Sequence, residues 1–254
     1  MAAKAFIDGP MAVAPMMDFT NRFLRYLLRG VTRRSTLYTE MVNANALVHC
    51  APSELPRFLD YDADTEHPLV LQLGGSDPEM LRRACAIGRE WGYDAINLNC
   101  GCPSDRVAGA GSFGAALMRD PDLAAEICAA MADGAGGTPV TVKCRIGVAD
   151  TTAEALAAGH DELLDGLSHF VDAISSRAGV RHFAVHARQA VLGGLSPDQN
   201  RKVPPLHYGV VNELAAARPD LSISLNGGIQ WPEQAVRLCA GRSAAARRRV
   251  GAIG

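Results

Sequence analysis

The sequence lacks a charge excess of either sign, with 25 Lys plus Arg against 27 Asp plus Glu for a formal net charge of −2. A chain so balanced has no overall electrostatic footprint for nucleic acid, and any RNA contact must be a local patch. The one imbalance sits at the end: Arg242, Arg247, Arg248 and Arg249 fall in 241–254, which hold no acid, leaving 21 of the 25 basic groups against all 27 acidic ones in 1–240. An even cysteine framework is missing too. Seven cysteines are scattered from Cys50 to Cys239 with no CxxC pair, which argues against a disulfide scaffold and a zinc site and fits a reducing compartment. No apolar stretch reaches membrane-spanning length, and residues 1–10 show neither the apolar core of a secretory signal nor the Arg and Ser of a transit peptide. The expected location is the cytoplasm, or an organelle if a leader has been removed, with no membrane or metal partner and a monomeric state. Internal repeats and low-complexity linkers are also lacking.

What is present is a chain of 254 residues, 48% hydrophobic, long enough to bury one large core. Short apolar runs at 11–14, 36–39, 69–73, 95–98, 140–144, 182–185 and 221–225 read as buried strands. Between most of them lie segments of helical spacing, 78–91, 120–132, 154–175 and 205–217. The first two open on Asp77-Pro78 and Asp120-Pro121, where Asp caps and Pro enters the first turn. This βαβα rhythm implies a parallel sheet, either a closed eight-fold barrel or an open doubly wound one.

Strand endings favour the barrel. Pro15 with Met16 and Met17, Glu40, Gln72, Asn97 with Asn99, Lys143 with Arg145, His186 with Arg188, and Asn226 all stand at predicted C-terminal strand ends. A TIM (β/α)8 barrel builds its site from many such ends, whereas an open sheet uses a few near its switch point. Seven strands are clear and the eighth is doubtful. Beyond a helix beginning near Trp231-Pro232, only 250–254 offers a short strand. The expected division is a barrel domain over 1–240 and an atypical basic tail over 241–254, read as a truncation or frameshift.

The segment richest in chemistry is Asn97-Leu98-Asn99-Cys100-Gly101-Cys102-Pro103-Ser104. Its Asn-x-Gly-Cys-Pro resembles the signature of the tRNA-dihydrouridine synthases. Other blocks resemble the same family in the same order: Val13-Ala14-Pro15-Met16-Met17-Asp18, Tyr38-Thr39-Glu40-Met41, Leu71-Gln72-Leu73-Gly74-Gly75, Val142-Lys143-Cys144-Arg145-Ile146-Gly147, His186-Ala187-Arg188 and Asn226-Gly227-Gly228. Together they span roughly 11–240, and such a series is far more specific than one pattern. With Gly194-Leu195-Ser196-Pro197 and 200–206, the chain most resembles the branch that modifies U20 and U20a of the tRNA D-loop. The resemblance implies a TIM barrel holding FMN, reduced by NADPH or NADH, that saturates the C5=C6 bond of tRNA uridines. It also implies a helical C-terminal tRNA-binding domain and a Gly-Arg phosphate grip after the last strand, neither of which this sequence presents.

Saturating that bond needs a hydride at one carbon and a proton at the other; a bound flavin supplies the first. The proton donor must stay protonated near neutral pH yet release readily, and a thiol with a reference pKa of about 8.5 qualifies. The motif selects Cys102, with a buried structural cysteine or a disulfide to Cys100 as the bland alternatives. By resemblance Lys143 contacts the flavin pyrimidine ring, where a cation would stabilise charge gained on reduction; pairing with Glu40 is the alternative. Gln72 and Asn226 suit amide hydrogen bonds to flavin, or are satisfied core amides. Pro15, Met16, Met17 and, by resemblance, His186 complete the flavin contacts. Gly227 and Gly228 would admit backbone N–H groups to its phosphate. Asn99, Arg145 and Arg188 could read the edge of a flipped uracil, and Arg201 and Lys202 could meet RNA phosphate or form a solvated basic loop. A GxGxxG match at 109–114 lacks the strand context of a dinucleotide fingerprint and reads as a mobile lid. The rival functions are an FMN barrel acting on a free pyrimidine and an inactive fragment of the family.

Overall fold

Parallel neighbours cannot be joined by a tight turn, so each barrel strand must be followed by a crossover. The computed structural model of the chain describes residues 11–103, 113–240 and 249–251. Its order is β1 (Met11–Val13), α1 (Arg22–Val31), β2 (Thr36–Asn43), α2 (Ala44–His49), α3 (Leu55–Leu59), β3 (Leu69–Gly74), α4 (Pro78–Glu90), β4 (Ala95–Cys100), α5 (Pro121–Ala135), β5 (Val140–Arg145), β6 (Val148–Ala149), α6 (Thr152–Ala157), α7 (His160–Ala178), β7 (His182–His186), β8 (Ala190–Val191), α8 (Tyr208–Ala217), β9 (Ser222–Asn226), α9 (Pro232–Ala240) and β10 (Arg249–Gly251). Eight parallel strands close a barrel in the order β1-β10-β9-β7-β5-β4-β3-β2. The short β6 and β8 pair with each other just beyond the ends of β5 and β7.

The seven expected strands are all present. The eighth, doubtful in the sequence, comes from within the segment set apart as a tail: Met11 and Ala12 pair with Val250 and Gly251, while Arg249 and Val250 pair with Ser224 and Leu225. Parallel pairing uses backbone groups, so three residues are enough to bridge a seam whose other side, β1, is itself three residues long. The remaining tail positions, 241–248 and 252–254, lie outside the described residues.

The proline-opened helices form as their sequence signals require. Asp77 and Asp120 each accept a backbone N–H at 2.9 Å, from Met80 and Leu123, satisfying first-turn donors that have no partner within the helix. The helix expected over 154–175 is instead two. A capping box between Thr151 and Glu154 starts α6, which stops at Ala158, and α7 begins after Gly159. Between strands and helices lies one continuous core in which Leu69, Leu71, Leu73, Ile96 and Leu98 are fully buried. Helices α4 and α5 meet almost backbone to backbone: a Cβ on Gly134 would lie 2.0 Å from the Arg82 carbonyl oxygen.

Helix α1 buries two arginines and leaves much of its apolar surface outside. Arg25 and Arg29 are buried, while Phe23, Leu27 and Val31 are exposed. The reason is local. The segment around Glu66 and Pro68 runs past the helix with carbonyls that need donors, and the Arg29 guanidinium meets the carbonyl oxygens of Glu66 (3.0 and 2.9 Å), Pro68 (2.8 Å) and Ser35 (2.7 Å). Arg25 Nε pairs with Glu66 Oε2 at 2.5 Å.

Candidate active site

Register decides which side chains meet at the barrel mouth. In a parallel sheet, residues in register, and residues two further along, share a face. Gln72, Asn97 and Thr141 stand in register across β3, β4 and β5, with Asn99 beside Lys143 one layer nearer the mouth. Arg145, His186 and Asn226 align across β5, β7 and β9. The lower layer is stitched together: Gln72 donates to Asn97 Oδ1 at 2.8 Å, and Asn97 donates to Thr141 Oγ1 at 2.9 Å. Asn99 donates weakly to Gln72 Oε1 at 3.4 Å, so the Gln72 amide has a partner at each end and retains a second valence at each. That matches the core-amide alternative, with capacity left for a ligand.

Cys102 follows β4 on a clamped backbone. Its N–H donates to Asn99 Oδ1 at 3.0 Å, and its carbonyl accepts from the Ala115 N–H at 2.9 Å. Asn99, expected at the substrate, thus spends its carbonyl oxygen on this loop and part of its amide on Gln72 and on Met41 Sδ at 3.0 Å. No cysteine is bridged to another, which removes the Cys100–Cys102 disulfide alternative. Cys85, Cys100, Cys128 and Cys144 are buried, and burial pushes the Cys128 and Cys144 thiols up to about 12. Cys102, by contrast, is only partly buried.

Lys143 makes no ion pair among the described residues. Glu40, its expected alternative partner, instead accepts the Asp18 N–H at 2.6 Å. Burial first, and then the Arg145 charge, pull the Lys143 pKa down to about 8, while Cys102 acts on both cations in the opposite sense. Arg145 is 3% exposed and braces loops: Nε donates to the Gly101 carbonyl at 3.1 Å, and Nη1 to those of Gln189 (3.2 Å) and Asn200 (2.9 Å). These nitrogens hold protein backbone, in contrast to the base-reading role expected of them. Burial lowers the Arg145 pKa to about 10. Arg188 donates to the Pro204 carbonyl, and its buried Nε has no hydrogen-bond partner.

His186 is buried and its Nε2 has no partner; burial first, then Arg145 and Lys143, hold its pKa well below the ordinary histidine value. Beside it the chain turns through Gly227 and Gly228 at φ of 105° and 69°. A Cβ on Gly227 would lie 2.3 Å from His186 Cδ2, so both the turn and the close approach require glycine. Pro15 and Met16, partly buried, and Met17, exposed, follow β1. Arg201 and Lys202 are exposed and both pair with Asp198, at 3.1 and 2.7 Å. The expected lid at 109–114 lies outside the described residues up to 112. Among the described residues no cluster of His, Cys, Asp or Glu could hold a metal ion, and no helix is long and apolar enough to cross a membrane.

A model of the family described as dihydrouridine synthase (Dus) matches residues 12–246. The chain belongs to the dihydrouridine synthase family. A tRNA-dihydrouridine(20/20a) synthase of Synechocystis sp. is 47% identical over 234 residues, covering 91% of this chain and 65% of the relative. One from Xanthomonas axonopodis pv. citri is 51% identical over 226 residues, covering 89% and 63%. The chain therefore spans somewhat under two thirds of the length of these curated relatives. A complex of 2-naphthoyl-CoA reductase with 2-naphthoyl-CoA superposes with a TM-score of 0.66 at 9% identity, covering 97% of this chain and 48% of that one; this likeness shows the barrel fold alone. Dihydrouridine synthase membership and the barrel agree with the family resemblance read from the motifs. Three residues of structural weight escaped that reading: Thr141, which ends the polar rung; Tyr208, whose hydroxyl donates to the Gly227 carbonyl at 2.5 Å; and Asn200, fully buried. Asn200 alone carried a signal, as an amide inside a block already matched to the family.

Proposed function

We propose that this chain is the catalytic barrel of a tRNA-dihydrouridine synthase, which reduces the C5=C6 bond of D-loop uridines at positions 20 and 20a with FMN as cofactor and NADPH or NADH as reductant. The observation that carries the reading is the juxtaposition of Cys102 with Lys143 at the mouth of a barrel whose family is known. Fit to a flavin is supported by groups that need a partner: the unpaired Nε2 of His186, the carboxylate-free Lys143 ammonium, and the double-glycine turn with space only for backbone. Lys143, His186, Gln72 and the 226–228 turn would hold the group, with Pro15, Met16 and Met17 at its edge. When bound and reduced, FMN supplies hydride.

The chain's own residues do the rest. A uridine must leave its stack to reach the mouth, which favours flexible loop positions. Cys102 Sγ–H gives its proton to the base carbon that does not receive hydride and regains one from solvent. The Lys143 cation, already stripped of much of its water, stabilises negative charge beside it more strongly than a solvated lysine could. Arg188 has a donor to spare for the base edge; Arg201 and Lys202 can exchange Asp198 for RNA phosphate.

The test is incubation with undermodified tRNA, FMN and either nicotinamide cofactor, with dihydrouridine scored by position. Reduction at 20 or 20a, lost in Cys102→Ala while flavin binding persists, is expected. A flavin-loaded protein that leaves tRNA untouched and reduces a free pyrimidine would overturn the proposal.

A further inference from the structure

We infer that Asn200 is a positioning residue that locks the basic loop bearing Arg201 and Lys202 to the loop bearing Cys102, with Arg145 as the link. The inference rests on the function proposed above and adds to it a mechanical path from the RNA-facing surface to the reactive thiol.

Asn200 is completely buried although it lies next to two exposed cations. Its side chain imitates a missing strand: Oδ1 accepts the Val191 N–H at 2.8 Å, and Nδ2 donates to the carbonyls of Val191 (2.9 Å) and Leu195 (3.3 Å). Val191 belongs to β8, whose pairing with β6 is fixed by Val148↔Ala190 and Ala149↔Val191. A buried amide with its valences filled has one low-energy orientation, because turning it over would leave donors facing donors. Thus the turn at 199–202 cannot slide relative to the barrel mouth without breaking three hydrogen bonds at once.

The second half of the path starts at the Asn200 carbonyl, which accepts from Arg145 Nη1 at 2.9 Å; Arg145 Nε then donates to the Gly101 carbonyl at 3.1 Å. Gly101 precedes Cys102, and Asn99 Oδ1 already holds both of their amides. A guanidinium is planar, so an acceptor fixed on one edge sets the direction of the donor on the next. One rigid fork therefore joins the two loops.

If the Asn200 side chain is truncated, its backbone carbonyl is no longer anchored to Val191 and Leu195, Arg145 Nη1 keeps only the Gln189 carbonyl as a held acceptor, the grip on Gly101 loosens, and Cys102 becomes easier to reach. The first readout needs neither tRNA nor turnover. The flavin-free and FMN-mixed proteins are treated with iodoacetamide, and alkylation of the Cys102 peptide is followed by mass spectrometry, with the buried Cys128 and Cys144 as internal controls for global opening. Asn200→Ala should alkylate at Cys102 roughly three- to tenfold faster than wild type with the controls unchanged. Asn200→Asp, which keeps the acceptor for Val191 N–H, should fall between. Arg201→Ala with Lys202→Ala should leave the Cys102 rate alone and, in the tRNA assay, raise KM without lowering kcat, whereas Asn200→Ala should lower kcat as well. An unchanged Cys102 rate in both Asn200 variants, with melting showing them folded, overturns the inference. So does a rise shared by all the cysteines. Neither result touches the proposed reaction, which stands or falls on dihydrouridine formation by wild type.

Discussion

Asn99 Oδ1 accepts the Cys102 N–H at 3.0 Å while accepting the Gly101 N–H at 2.9 Å, so one side-chain oxygen fixes the backbone on which the Cys102 thiol is mounted. The pairing is short-range, and it converts a strand end into a defined turn. Asn99→Ala would leave two amide donors at the mouth in want of a partner, at about 1–3 kcal/mol of stability. The larger effect is expected on turnover, since misplacing a proton donor by about an ångström can cost on the order of a hundredfold. Single-turnover oxidation of the reduced flavin by tRNA, compared with flavin affinity, would check it. Loss of turnover with affinity kept is the expected pattern.

The barrel was legible because its strands are buried on both faces and read as unbroken apolar runs, each closing on a polar residue. Three parts were not. Strand β10 sits in a Gly-, Ala- and Arg-rich stretch where the sequence offered only a doubtful strand at 250–254, and it is the backbone pairing with Ser224, Leu225, Met11 and Ala12 that makes 249–251 a strand. Helix α1 is amphipathic, but Arg25 and Arg29 point inward while Phe23, Tyr26, Leu27 and Val31 point outward. No rule of thumb turns such a helix around without knowing that the carbonyls of Glu66 and Pro68 lie beneath it. Within the site, motifs reached Cys102, Lys143 and His186, yet they could not say that Arg145 grips Gly101, Gln189 and Asn200, since hydrogen bonds across more than forty positions leave no local trace.

Lys143 should make flavin binding pH-dependent in a particular direction. Its pKa in the folded protein, about 8, lies below the 10.5 of an unperturbed lysine. Between those values the unfolded chain holds a proton that the folded chain does not, so this group makes the flavin-free protein more stable as pH rises through the window. The site charge disappears over the same window. FMN affinity should therefore weaken above about pH 8, by at most roughly tenfold per unit, while the melting temperature of the flavin-free protein gains. Lys143→Met should flatten both profiles. Fluorescence titration and thermal melting between pH 7 and 10 would decide, and an affinity that climbs with pH would refute the assignment of charge.

Gly227→Ala separates space from sequence preference. The added methyl would lie 2.3 Å from His186 Cδ2 and 2.7 Å from Nε2, on a residue with φ of 105° that L side chains rarely adopt. Both the strain and the displaced imidazole act against folding, and a non-glycine residue in such a conformation costs of order 1–3 kcal/mol before the clash is counted. A fall in melting temperature with FMN affinity reduced at least tenfold is expected. Gly137→Ala, also at positive φ (102°) but with nothing within 4 Å of the new methyl, should lose stability and keep affinity.

The Arg25–Glu66 pair gives the most exacting test of how α1 is held. Both side chains are nearly solvent-free, and Glu66 also accepts the Asp62 N–H at 2.9 Å while Arg25 donates to the Thr20 carbonyl at 2.8 Å. Removing one partner strands the other charge away from water, a loss of about 3–5 kcal/mol. Arg25→Met and Glu66→Gln should each approach that cost. The double variant should recover much of it, because no uncompensated charge remains and the methionine fills much of the arginine's volume. Chemical denaturation of the four proteins, evaluated as a double-mutant cycle, measures the coupling. If the two single costs simply add, the pair is not what turns the apolar face of α1 toward solvent, and the bonds from Arg29 to the Glu66, Pro68 and Ser35 carbonyls must do so alone.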